Sequence, residues 1–238
     1  LFDISLTVII GRVVGLLIGF TVHEWAHAYS AYRLGDSTAY NRGRLTLDPR
    51  AHLDPFGLIL ALLAGFGWAK PVPTNPNAFY PKERRGLMVV ALSGPVTNLI
   101  IAFFFALALR LMLAVDLIYE TRFFLTSTGA TIVQGDGELM QFILEVMSTV
   151  IVFNLLLFFF NLIPLSPLDG WKIMLGLLPD KDAYRIAQYE RQSFMLLTVI
   201  LMIGFIIPAL NIIAFVFQPF LRFFFELFTG FGYYIGTV

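Results

Sequence analysis

Four stretches of this sequence run uninterrupted, or nearly so, through apolar residues for long enough to cross a lipid bilayer. A helix rises 1.5 Å per residue, so the hydrocarbon core takes about 20 residues. The stretches are 4–34, 86–115, 139–163 and 194–215. No soluble core can hide that much apolar surface, because burial is limited by surface-to-volume scaling. Composition agrees: 58% of the 238 residues are hydrophobic and only 13% are charged, against about 25% charged in soluble domains. The expected class is an all-α polytopic membrane protein, seated in a cell membrane and in contact with the lipid bilayer. Disordered chains and binders of nucleic acid that work by bulk basic charge are excluded. The chain has no Cys, which removes disulfides, thiolate metal sites and cysteine nucleophiles.

The first three stretches form the expected core, within residues 1–190. Residues 191–238 contribute one or two further membrane segments, the second a Phe-rich tail after Pro219 that carries Arg222 and Glu226. The run from Phe56 to Ala69 is too short to cross as a helix and is rich in Gly. With Pro71, Pro73 and Asn75 behind it, the segment 56–80 reads as re-entrant or β-like rather than as a regular helix. The first apolar run is too long for a signal peptide and ends in ionisable residues rather than a cleavage site.

Charge placement sets orientation. If 56–69 does not cross, twelve of the sixteen basic residues share one face: Arg33, Arg42, Arg44, Arg50, Lys70, Lys82, Arg84, Arg85, Lys172, Lys181, Arg185 and Arg191. The 116–138 connector holds a single basic residue, Arg122. The positive-inside rule makes the twelve cytoplasmic. Arg12 and Arg110 read as residues reaching the outer interface, with pairing to a carboxylate the alternative for Arg12. Trp68, Tyr233 and Tyr234 read as interfacial anchors.

Ionisable groups inside a membrane helix are expensive and mark function. The first span holds three within five positions: His23, Glu24 and His27. Residues four apart share a helix face, so both imidazoles can converge on one metal ion with Glu24 beside it. This is the HExxH pattern, two zinc-binding His and a Glu that acts as general base. A catalytic zinc needs a third protein ligand. His52 is available but lies in a loop expected at the surface. Asp169 is the better candidate. It follows two Pro residues directly after the third span, and that span and the first end on the same side. Counting back from Leu34 places His27 about 10 Å inside the cytoplasmic end of its helix.

These residues resemble the zinc site-2 proteases, intramembrane metalloproteases that cut transmembrane segments of other proteins. The likeness rests on His23-Glu24-Trp25-Ala26-His27, on Gly94-Pro95-Val96-Thr97-Asn98, and on Asn161 through Gly170. Gly43 to Pro49 and Trp68 to Pro73 resemble the compact prokaryotic branch, without a PDZ or nucleotide-sensing module. The resemblance implies a Zn2+ held by His23, His27 and Asp169, Glu24 as the catalytic carboxylate, and a three-span core. Single-span membrane proteins are the implied substrates. Asn98 is the expected donor to a tetrahedral oxyanion, with plain helix packing as its alternative. Asn161 is expected to orient the Asp169 loop or to cap a helix. Gly67, Lys70, Pro71 and Asn75 are expected to line an edge that pairs with an unwound substrate.

Two other classes compete. A metal transporter would string ionisable residues through several helices, whereas here they cluster at one depth. A catalytically inactive binder of transmembrane partners would be favoured by loss of Glu24, which is present. A prenyl-protein type of protease would need a distal Glu as third ligand, and Glu145 lies toward the outer side.

Overall fold

The computed structural model of the chain describes residues 6–64, 67–114, 122–125, 131–134, 137–207, 210–230 and 233–235. Its frame is three long helices: α1 (Leu6–Arg33), α5 (Glu83–Ala114) and α6 (Glu138–Asn161). All three are long and apolar enough to span a membrane, matching the expected core. In lipid a backbone must satisfy its own polar groups, and a continuous helix does so.

Small residues set how closely α1 approaches α6. Gly11, Gly15 and Gly19 fall at four-residue spacing, and a Cβ on each would meet Thr149, then Val150 and Phe153, then Leu157 and Asn154. Contacts of this kind drive helix association where no hydrophobic effect operates. Arg12 of α1 is only 2% exposed. It is therefore buried in the bundle, and the expectation that it reaches the outer interface is corrected.

Between α1 and α5 the chain folds into short pieces: α2 (Thr38–Asn41), α3 (Pro49–His52), α4 (Pro55–Ala64) and a 3-10 turn at Pro76–Phe79. The expectation for 56–80 needs correction here. Its first part is a regular helix of ten residues, too short to cross. Among the described residues of this segment, extended pairing is a bridge between Leu53 and Ala69, reinforced by the Lys70 amide donating to the His52 carbonyl (2.7 Å). Residues 65 and 66 lie outside the described residues.

After α6 come α7 (Asp169–Leu177), α8 (Asp180–Ala187), α9 (Glu190–Ile206) and α10 (Ile212–Thr229). The apolar stretch 194–215 is thus not one span: α9 ends at Ile206 and α10 starts at Ile212. Helices α8 and α9 meet at 61° and together could make a fourth crossing. Pro219 sits inside α10 rather than ahead of it. That helix packs Phe217, Leu221 and Phe225 against Ala102, Ala106 and Leu109 of α5 and Leu144, Ile151 and Leu155 of α6. Phe159 meets Phe217, Phe220 and Phe224 edge-on or tilted. Arg110 donates to the Leu227 carbonyl in the last turn of α10 (2.7 Å), a favourable place for a cation.

One element was not expected from sequence. The strands β1 (Arg122–Leu125), β2 (Thr131–Gln134) and β3 (Tyr233–Ile235) form a small sheet in the order β2-β1-β3, antiparallel then parallel. The other named elements among the described residues are helical.

Candidate metal centre

The site lies where the C-terminal half of α1 meets the N-terminal half of α5 and the start of α7. His23, Glu24 and His27 are all buried. The helix places the two imidazoles one turn apart, edge to face, with ring centroids 4.6 Å apart. Room for them comes from Gly94. A Cβ there would stand 2.5 Å from the His27 ring and 2.7 Å from the His23 ring, closer than any real contact.

Hydrogen bonds fix which ring nitrogens face inward. His27 Nδ1 lies 2.7 Å from the Val90 carbonyl; a carbonyl only accepts, so Nδ1 carries the proton. His23 Nδ1 lies 2.6 Å from Asn98 Oδ1. The orientation of that amide is set on its other side, where Asn98 Nδ2 donates to the Gly19 carbonyl (3.2 Å) and to Asn154 Oδ1 (3.0 Å). His23 Nδ1 therefore donates as well. In both neutral rings Nε2 is left as a bare lone pair.

The consequence is three acceptors with no hydrogen among them. The two Nε2 atoms are 3.0 Å apart, and Asp169 Oδ2 stands 3.1 Å from one and 3.2 Å from the other. Asp169 Oδ2 is buried without a hydrogen-bond partner. Lone pairs so arranged repel one another unless a cation lies between them. Two imidazole nitrogens and a carboxylate oxygen are the donor set zinc takes in catalytic sites, so the residues fit the metal. Among the described residues this is the one group with metal-ligand spacing.

Glu24 projects beside this cluster, and its Oε2 is buried with no hydrogen-bond partner. Around His27, Ser93 Oγ donates to the Val90 carbonyl (2.6 Å) and lies 3.0 Å from Ser30 Oγ. Pro95 cannot donate to the carbonyl four residues before it, yet α5 continues through it.

The other residues singled out from sequence are placed as follows. Asn98 is fully buried, and both of its amide hydrogens are engaged, so in this geometry none is left for an oxyanion. Asn161 donates to the carbonyl of Leu157 in its own helix (3.0 Å). Asn75 starts the 3-10 turn, its side chain accepting from the Asn77 amide (3.2 Å) and its own amide donating to Asp36 Oδ2 (2.7 Å). His52 is not at the surface. It is wholly buried and donates through Nε2 to the Thr46 carbonyl (2.8 Å), which corrects the expectation of an exposed loop residue.

Sequence reasoning missed Arg44. Its guanidinium donates to the carbonyls of Lys70 (2.6 Å) and Pro71 (3.3 Å) and so clamps the extended segment. Burial holds the Arg44 pKa below its ordinary value, partly offset by attraction to the Glu24 carboxylate. In the sequence it stands among many loop cations and inside the stretch Gly43 to Pro49, and neither feature marks it as a clamp.

Comparison with known proteins adds a second line. A family model described as Peptidase family M50 matches residues 11–207. The chain is 45% identical over 188 residues to a Bacillus subtilis protein named "Putative zinc metalloprotease YwhC", covering 79% of this chain and 78% of that one. It is 28% identical over 204 residues to "Putative zinc metalloprotease Rip2" of Mycobacterium tuberculosis (84% and 68% covered), and 29% identical over 218 residues to the protein of that name in Mycolicibacterium smegmatis (90% and 70%). No solved structure matches the chain.

Proposed function

The chain belongs to peptidase family M50 and is a zinc metalloprotease, and from that premise we propose that it cleaves transmembrane segments of other membrane proteins from a site inside the bilayer. The observation that carries this reading is the position of the metal cluster. It is buried between two helices long enough to span a membrane, one turn or more from the end of either. A soluble peptide meets no such site directly, whereas a transmembrane segment diffuses to it within the lipid. The excess of basic residues in the loops at this end supports a site nearer the cytoplasmic face.

In this proposal His23, His27 and Asp169 hold the metal. When bound, zinc supplies a Lewis acid that polarises a carbonyl and brings the pKa of water toward neutrality. Glu24 moves the proton. Its free Oε2 takes one from the attacking water and later gives it to the departing amine nitrogen as the C–N bond breaks. Asn98 keeps His23 in the tautomer that turns Nε2 inward, the role of a carboxylate or amide behind a metal-bound imidazole. Asn161 steadies the end of α6 ahead of the Asp169 loop.

A helical substrate hides its peptide bonds and must unwind before attack. Residues 67–75 form no helix and are bridged to Leu53 through Ala69, which leaves a stretch to receive it, with Gly67, Lys70, Pro71 and Asn75 along its length. Pairing there draws mostly on carbonyls, because Pro71 and Pro73 have no N–H. Arg44 holds two of those carbonyls in place.

The test uses purified protein in liposomes with a single-span substrate and with a soluble peptide of the same cleavage sequence. Wild-type protein should cut the embedded substrate, and Glu24→Gln should abolish cleavage while the metal stays bound. Cleavage by metal-free protein, or preference for the soluble peptide, would sink the proposal. A transporter would need further ligand groups along its path, and none is found among the described residues.

A further inference from the structure

The loop that carries Asp169 is tied to helix α9, and its amides can be accounted for one by one. Leu162 and Ile163 donate back to Phe159 and Phe160 at the end of α6. Leu165 donates to Ile163 (2.8 Å) and Leu168 to Leu165 (3.0 Å). Pro164 and Pro167 have no N–H to place. Among residues 162–168 one amide remains, that of Ser166. It is buried and donates to Ser193 Oγ at 2.9 Å. Ser193 is itself buried in the first turn of α9. From the same face, Glu190 Oε1 lies 3.4 Å from Ser166 Oγ.

We propose that Ser193 is a positioning residue for the zinc ligand Asp169, acting through the Ser166 amide three residues before it. The inference rests on the reading of Asp169 as a ligand. A buried amide needs a partner, and losing one leaves the donor unsatisfied. Pro164 and Pro167 donate no backbone hydrogen bond to the loop, and Gly170 folds so close to the Ile163 carbonyl that no side chain fits there. The Ser193 hydroxyl therefore fixes where the loop ends and where the Asp169 carboxylate enters the cluster. Helix α9 becomes part of the metal site, although it supplies no ligand.

The experiment measures zinc affinity of full-length, metal-free protein in detergent, by competition with a chromophoric chelator. Thermal unfolding of the same metal-free samples is recorded alongside. Ser193→Ala should weaken zinc binding by about 10- to 100-fold, the range seen when a residue behind a metal ligand is lost. Ser193→Thr, which keeps the hydroxyl, should restore most of the affinity. Unchanged affinity in Ser193→Ala, or equal loss in the Ala and Thr variants, would overturn the proposal. A lowered melting temperature with unchanged affinity would also overturn it, by showing a structural role alone. Asp169→Ala is the control for the underlying reading. If it loses zinc while Ser193→Ala does not, only the positioning role fails; if it keeps wild-type affinity, the ligand assignment itself fails.

Discussion

At the scale of single residues, the absence of a side chain at Gly94 matters as much as the presence of His23 and His27. The two imidazoles fill the space that a Cβ would take, and α5 cannot move away without losing the Val90 and Asn98 hydrogen bonds that set both tautomers. Alanine favours helix over glycine by roughly 1 kcal/mol, so Gly94→Ala should leave α5 folded and still displace the rings. The expected result is unchanged helical circular dichroism with loss of bound zinc. Retained zinc would show that the helices can part. The proposed ligands His23 and His27 were legible in the sequence because residues four apart share a helix face, and Asp169 because it follows the third span on the side where the first span ends. The role of Asn98 was not. Its residue type allows either donating or accepting, and only the positions of Gly19 and Asn154 decide which atom faces His23.

Among the elements, the long helices were legible because an apolar run of that length has few alternatives in lipid. The segment between α1 and α5 was legible only in part. Gly and Pro content argued against regular structure across 56–80, yet Pro55–Ala64 is helical, since intrinsic preference is a weak guide where packing decides. The spacing Gly11, Gly15, Gly19 was visible but does not by itself name a partner helix. Where α1 hands over to this segment, Asp36 receives the amides of Thr38 (2.9 Å) and Asn75 (2.7 Å). Burial works against the Asp36 charge, but these hydrogen bonds outweigh it and hold the carboxyl below its ordinary value. Such a group stabilises the fold above the unfolded-state pKa of about 3.9 and stops doing so as pH falls through its lower native value. Wild-type protein should therefore melt higher than Asp36→Asn at neutral pH, with the gap closing below about pH 4. A gap that persists unchanged in acid would remove Asp36 as the cause.

For the molecule as a whole, the sequence set out three core spans, and it could not set out the packing of the last fifty residues. Helix α10 was ambiguous because an amphipathic Phe-rich run suits an interface as well as a core. The structure buries one face of it against α5 and α6. The break between α9 and α10 fell inside what looked like one apolar stretch. Orientation in the membrane can be tested cleanly because the chain has no Cys. A membrane-impermeant thiol reagent added outside intact cells should label Gly137→Cys and leave Lys181→Cys untouched. The reverse pattern would invert the topology and place the site on the outer side.

In this proposal one zinc ion is held jointly by the α1 histidines and by Asp169 at the start of α7. Metal analysis of purified full-length protein measures this directly, on the wild type and on His23→Ala, His27→Ala and Asp169→Ala. Wild-type protein should carry about one zinc per chain, and each variant should lose the metal. Full zinc occupancy in Asp169→Ala would contradict the proposal and move the third ligand elsewhere.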